Sequence, residues 1–197
     1  MTQAGAGSQD ALRSAKRALR QQVLAARDAT DRAARSAASA VIAGRLIELS
    51  SYHDARVVCA YCSFGSEFDT ATFVADVLRR GKRLLLPRVD RAARDLAFHF
   101  VTDPAADLSA GTWGIPEPDP ARCPIADLGE IDFMLVPGVA FTRDCQRLGY
   151  GGGFYDRVLA RVRSDCFTVA AAFSMQLVPS LPTGTGDRKV NAIVTEA

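Results

Sequence analysis

Several absences narrow what this 197-residue chain can be. It has no run of about 18 consecutive apolar residues, and its first residues carry no apolar stretch of the kind that directs export. Neither a membrane span nor secretion is expected. Charge of either sign is not in excess: 24 Lys and Arg face 22 Asp and Glu, a formal +2, too little for a general nucleic-acid or membrane-surface footprint. Histidine is scarce. His53 and His99 have no second histidine or carboxylate at ligand spacing, so both are assigned structural roles. The five cysteines are odd in number, and only Cys59 and Cys62 have the two-residue spacing of zinc or redox sites. With no second pair, and with both in an apolar run that reads as a strand and sends them to opposite faces, buried inert thiols in a reducing cytoplasm are the expectation. No Ser/His/Asp or Cys/His set can be assembled.

What is present is a medium-sized globular pattern, 48% hydrophobic and 23% charged, in the range of one domain with one core. Residues 1–8 are small and polar and are expected to be disordered, leaving 9–197 as the single domain. Leu12, Ala15, Leu19, Val23 and Ala26 recur at helical spacing and predict an amphipathic helix over about 9–28. A second helix, starting near Asp31, sets Val41, Ile42, Leu46 and Leu49 on one face. Arg56 to Phe64, Thr70 to Arg80 and Lys82 to Val89 read as strand, helix, strand. Gly81 stands at the helix C-cap, and the apolar runs are of the kind buried parallel strands need. Further strands are predicted at Leu96–Val101, at Phe133–Phe141 with a break at Pro137-Gly138, at Phe167–Phe173 and at Ala192–Thr195. A helix is predicted at Gly153–Arg163, and Asp103–Leu128 is expected to be a long loop. The sum is a three-layer α/β domain, its central sheet mostly parallel with helices on both faces.

The residues most able to carry chemistry run from Arg147 through Leu148, Gly149, Tyr150, Gly151, Gly152, Gly153, Phe154 and Tyr155 to Asp156. Four glycines in five residues, between a strand and a helix, allow close backbone approach and free N–H groups for an anion. A flexible turn is the alternative. The loop is neither a Walker A motif nor a GxGxxG fingerprint. Arg147 could fork onto a phosphate, and Asp156 could hold magnesium or simply offset helix-start charge. Lys16 and Arg20, one turn apart beside the apolar stripe of the first helix, could reach an anion or belong to a solvated basic face with Arg13 and Arg17. Glu67 follows the first strand, where ligand crevices open in parallel α/β sheets; Asp69 or Thr70 can cap the next helix. Trp113, between Gly and Pro residues, could stack on a flat heterocycle or anchor packing.

The glycine loop occurs in order with Lys16-Arg17-Ala-Leu19-Arg20, Glu67-Phe-Asp69-Thr70, Leu-Pro87-Arg88, Trp113-Gly-Ile-Pro-Glu-Pro118 and Val136-Pro-Gly138. In that order the motifs resemble the 5-formyltetrahydrofolate cyclo-ligase family, over residues 12 to 195. The resemblance implies a fold like that of sugar-phosphate isomerases and coenzyme A transferases. It also implies ATP- and magnesium-dependent conversion of 5-formyltetrahydrofolate, with or without a polyglutamate tail, to 5,10-methenyltetrahydrofolate. Lys16, Arg17, Arg20 and Arg147 to Tyr155 would bind ATP. Glu67, Trp113 and Tyr150 to Phe154 would bind the folate, and Asp156 and Asp187 would carry magnesium. A cytoplasmic monomer without nucleic-acid or membrane partners is expected. Three positions depart from the pattern: Phe154 where many members have Tyr, Gly152 where some have Lys, and Asn191 where Asp is frequent. The alternatives are a sugar-phosphate isomerase, which needs an acid/base pair not found here, and an inactive folate- or nucleotide-binding module.

Overall fold

The computed structural model describes residues 3–197. Helix α1 (Gln3–Ala29) begins six residues before the predicted start, so it enters the segment expected to be disordered; residues 1–2 lie outside the described residues. Asp31 caps α2 (Arg32–Ile47), its carboxylate accepting from the Ala33 and Ala34 N–H groups, which satisfies donors a helix start leaves unpaired. Ile42 and Leu46 of α2 are fully buried, but Val41 is exposed, one step around the helix from the stripe it was assigned to. A short α3 (Ser50–Asp54) leads into β1 (Val57–Cys59), α4 (Ala71–Arg79) and β2 (Arg83–Asp90). Gly81 ends α4 with φ +69°, the left-handed geometry that favours glycine.

The predicted strand from Arg56 to Phe64 stops at Cys59. Cys62 therefore sits in the loop that follows, where strand alternation does not apply, and it is half-buried. The chain continues with β3 (Asp95–Val101), which returns antiparallel to β2. The stretch 103–128, expected as a loop, instead holds α5 (Pro104–Asp107), β4 (Leu108–Ala110), β5 (Pro116–Pro118) and β6 (Ile125–Ala126). These elements are only two to four residues long, too short to leave a periodic signal. Pro137-Gly138 divides the next predicted strand into β7 (Phe133–Leu135) and β8 (Ala140–Phe141). β8 pairs with β9 (Arg147–Leu148) in a separate hairpin. Then come α6 (Phe154–Leu159), β10 (Phe167–Ala171) and β11 (Ala192–Val194).

The main sheet has the order β11-β10-β7-β1-β2-β3-β6. Its first five strands are parallel, β3 runs against them, and β6 pairs antiparallel to β3. Alternation sorts the core. Val58, Leu84, Leu86, Phe133, Leu135 and Val169 meet α2, α3 and α4 on one face. Val57, Cys59, Leu85, Met134 and Ala170 meet Val158 of α6 on the other. A third cluster docks α1 onto the β8–β9 hairpin through Val23, Val139, Ala140 and Leu148. This last contact lays the first helix across the carboxyl ends of the parallel strands, where such sheets bind ligands. Among the described residues, no helix is long and apolar enough to cross a membrane.

Candidate active site

Two hollows meet at the glycine loop. One, about 420 Å³, is mostly apolar and is lined by Phe64, Trp113, Ile115, Phe154 and Tyr155, with Glu67 among the few charged groups. The other, about 390 Å³, is lined by Arg13, Lys16, Arg17, Arg20, Leu148, Gly149, Gly151 and Gly153, with Asp156 and Asp187 at its edge. Gly149, Gly153 and Asp156 belong to both. The loop is the shared wall.

Glycine is required here for concrete reasons. Gly151 and Gly153 adopt φ +111° and +67°, conformations that L side chains rarely hold. At Gly152, an added Cβ would lie 2.7 Å from the Phe154 ring, which folds back over the backbone. α6 spans only six residues, so its macrodipole is small. The positive character of the cleft therefore comes from side chains of α1. Lys16 Nζ donates to both oxygens of Asp187 at 2.6 Å, and Arg20 Nε donates to the Gly149 carbonyl at 2.7 Å. Burial pulls the Arg20 pKa down, while Asp187 and Asp156 hold it up.

Arg147 is placed differently from its expected role as a free phosphate fork. Its side chain is 2% exposed, and Nη2 donates to Asp156 Oδ1 at 2.7 Å while Nη1 donates to the Pro137 carbonyl. It borders the apolar cavity, as do Tyr150, Phe154 and Tyr155. Asp156 also accepts from the Arg188 N–H, and Asp187 from the Gly184 N–H. Asp156 and Asp187 thus flank the basic cleft already charge-paired. Among the described residues, no group of three or more His, Cys, Asp or Glu side chains is arranged to hold a metal ion.

Glu67 sits at the wall of the apolar cavity and is buried. Tyr150 Oη donates to its Oε1 at 2.5 Å and the Phe64 N–H to its Oε2 at 3.1 Å. Burial raises its pKa above the usual carboxylate range, and the Tyr150 hydroxyl, the Phe64 N–H and Arg27 act against that rise. Asp69, two residues on, accepts from the Ala71 N–H at the start of α4, where Thr70 stands at the N-cap without a side-chain bond to the helix. Trp113 is 73% exposed and meets Phe154 edge-on, ring centroids 6.3 Å apart. It lines the cavity from an exposed position, on backbone with φ +59°. Cys62 borders the same cavity, and burial, helped by Glu117, pushes its thiol up to about 11, so it stays protonated at neutral pH. His99 is buried against the Cys123 carbonyl and lies outside both hollows.

Three further residues complete the site. Arg13 shares the basic cleft, and Glu117 lines the apolar cavity, accepting from the Thr112 N–H. Arg27 approaches the Glu67 end of the cavity from α1. Its position was signalled by spacing: Lys16, Arg20 and Arg27 stand at i, i+4 and i+11, one stripe of a helix.

A family model for the 5-formyltetrahydrofolate cyclo-ligase family matches residues 12–196. A 5-formyltetrahydrofolate cyclo-ligase of Mycolicibacterium smegmatis is 34% identical over 142 residues, covering 71% of this chain and 73% of the relative. The mouse protein of the same name is 27% identical, with 93% and 94% covered. The solved 5,10-methenyltetrahydrofolate synthetase of Aquifex aeolicus superposes with a TM-score of 0.81 at 34% identity, over 92% of this chain and 89% of that one. The chain belongs to the 5-formyltetrahydrofolate cyclo-ligase family.

Proposed function

We propose that this enzyme uses ATP to close the ring of 5-formyltetrahydrofolate, yielding 5,10-methenyltetrahydrofolate, ADP and phosphate. The observation that carries the reading is the shared wall: a basic cleft and an apolar cavity with a buried carboxylate open on opposite sides of one glycine loop. The basic side suits a triphosphate, with Lys16, Arg17 and Arg20 of α1 as its cations and the loop backbone as its floor. The apolar side is of ligand size. It suits a pterin, whose donor edge pairs with Glu67 and whose ring packs against Phe154 and under Trp113. A phosphoryl group and a formyl oxygen brought to the common edge at Gly149 and Gly153 meet there.

The chemistry asks mainly for positioning and charge neutralisation. The formyl oxygen attacks the γ-phosphorus, the bond to the bridging oxygen breaks, and ADP leaves. N10 then attacks the activated formyl carbon and loses its proton. The carbon–oxygen bond breaks with its electrons on the phosphate, leaving the methenyl bridge.

Asp156 and Asp187 fit a magnesium ion. They are two carboxylates at the edge of a cation-lined cleft, and magnesium takes one or two carboxylates with phosphate oxygens and waters completing its shell. Bound there, the ion would neutralise charge on the phosphate oxygens. Lys16 and Arg147 hold the two carboxylates in place.

The test mixes purified protein with 5-formyltetrahydrofolate, ATP and magnesium and follows the near-ultraviolet absorbance of the methenyl product, omitting one component at a time. Product in the complete mixture alone is the expected result. A flat trace with calorimetric binding of both ligands would replace the reading with a binding module that lacks turnover.

A further inference from the structure

Arg27 is 3% exposed, the most buried cation that α1 carries toward the site. A buried guanidinium is costly unless its donors are taken and its charge is balanced nearby. Two of its donors go to hydroxyls: Nε to Ser66 Oγ at 2.9 Å and Nη2 to Tyr150 Oη at 3.1 Å. Ser66 passes its own proton on to Asp28. Tyr150 passes its proton to Glu67 Oε1 at 2.5 Å.

The polarity of this second chain is fixed by chemistry. An arginine has only donors and an ionised carboxylate only acceptors, so a single hydroxyl between them must accept from the first and donate to the second. The arrangement matches an ionised Glu67 and leaves its carboxylate as acceptor toward the cavity. Other groups facing Glu67 do not supply that positive charge. They are the Tyr61 phenol beyond β1, the Tyr155 phenol on α6 and the Phe64 N–H.

We infer that Arg27 is a positioning residue for folate recognition, fixing Glu67 through Tyr150 as an acceptor-only carboxylate for the donor edge of the bound heterocycle. The inference rests on the reading of Glu67 as the folate-binding carboxylate. It adds that one of the groups that favour the ionised form of Glu67 lies on the first helix, outside both hollows and outside every motif of the site. Burial alone would raise the Glu67 pKa, and Arg27 is among the groups that oppose the rise.

The experiment compares Arg27→Met, Arg27→Lys and Tyr150→Phe with Glu67→Gln as the reference. KM for 5-formyltetrahydrofolate, KM for ATP and kcat are measured from about pH 5 to about pH 9, with melting curves for each variant. Arg27→Met is expected to raise the folate KM about tenfold or more at neutral pH, with the ATP KM changed less than about threefold. Without Arg27, Glu67 protonates at higher pH, so the acid limb of the folate 1/KM profile moves upward in pH. Arg27→Lys restores part of the affinity, and Tyr150→Phe moves the limb in the same direction. If Arg27→Met folds poorly, Tyr150→Phe still tests the relay. An unmoved acid limb in both Arg27→Met and Tyr150→Phe would overturn the inference. So would equal losses in both KM values and kcat that track a lowered melting temperature. If Glu67→Gln raises the folate KM and Arg27→Met does not, only the role of Arg27 falls. If Glu67→Gln leaves the folate KM unchanged, the reading of Glu67 falls first.

Discussion

Replacing Lys16 with alanine separates the two halves of the proposed site. Lys16 Nζ holds Asp187 at 2.6 Å, with the lysine side chain 15% exposed and the aspartate 24%. In the proposed complex the ammonium adds a phosphate oxygen to its partners. A charge-assisted hydrogen bond of this kind contributes about 1.5–3 kcal/mol. At about 1.36 kcal/mol per decade, its loss raises the ATP KM by about 10- to about 150-fold. The cost to the fold is smaller. Asp187 keeps the Gly184 N–H at 2.6 Å, and a partly solvated ion pair contributes under about 1 kcal/mol. Lys16 does not line the apolar cavity, so the folate KM should change by less than about threefold. Initial rates against ATP at saturating folate, the converse titration and a melting curve measure all three quantities. An ATP KM within about threefold of the parent, or a folate KM that rises further than the ATP KM, would refute the placement of α1 at the phosphate end.

Asp156→Asn should reduce magnesium-dependent turnover by at least about a hundredfold while its amide oxygen continues to accept from Arg147; activity that no longer differs from the parent across a magnesium titration would remove Asp156 from the metal's partners. Phe133→Ala should destabilise the domain by about 3–5 kcal/mol, because the ring is fully buried with Tyr52, Phe73 and Phe167 at centroid distances of 5.6, 6.0 and 5.9 Å; denaturant unfolding at unchanged slope measures it. Burial acts to raise the Asp76 pKa, but bonds from Tyr52, Arg79 and Arg80 outweigh it and hold the carboxyl below the usual range. Its stabilising contribution is therefore present above about pH 4 and lost as pH falls further. Asp76→Asn should lower stability at neutral pH and flatten the acid decline, and parallel unfolding curves for parent and variant between about pH 3 and about pH 7 would contradict this.

The parts of the fold that were legible in the sequence are those whose packing imposes a period. Leu84, Leu85 and Leu86 form an unbroken apolar run because β2 is covered on both faces of the sheet. Leu19 and Val23 mark the docked stripe of α1 for the same reason. The stretch from 103 to 128 was opaque because its elements are too short to show a period, β4 and β5 pairing with each other and β6 with β3. The glycine loop, Lys16, Arg20 and Glu67 could be singled out locally by composition and spacing. The division of labour along the loop could not. That Arg147 turns inward to Asp156, and that Phe154 and Tyr155 face the apolar side, follows from the path of β8 and β9. Arg27 was not singled out, because what marks it is Tyr150, 123 residues away in the chain, which only the fold brings beside it.

That separation governs when the site can exist. Lys16, Arg20 and Arg27 close contacts spanning 171, 129 and 123 residues, so α1 can bond to Ser66 early but waits for the last quarter of the chain to complete its contacts with the site. Contacts of this reach are slow to form because the intervening loop must be closed first. A nascent fragment ending before Gly149 has the amphipathic helix but not the glycine loop that the two hollows share. Its apolar stripe of Leu19 and Val23 stays uncovered until Val139, Ala140 and Leu148 arrive. The helix that organises the site in the finished protein thus presents an uncovered apolar stripe, open to misassociation, while the chain is being made.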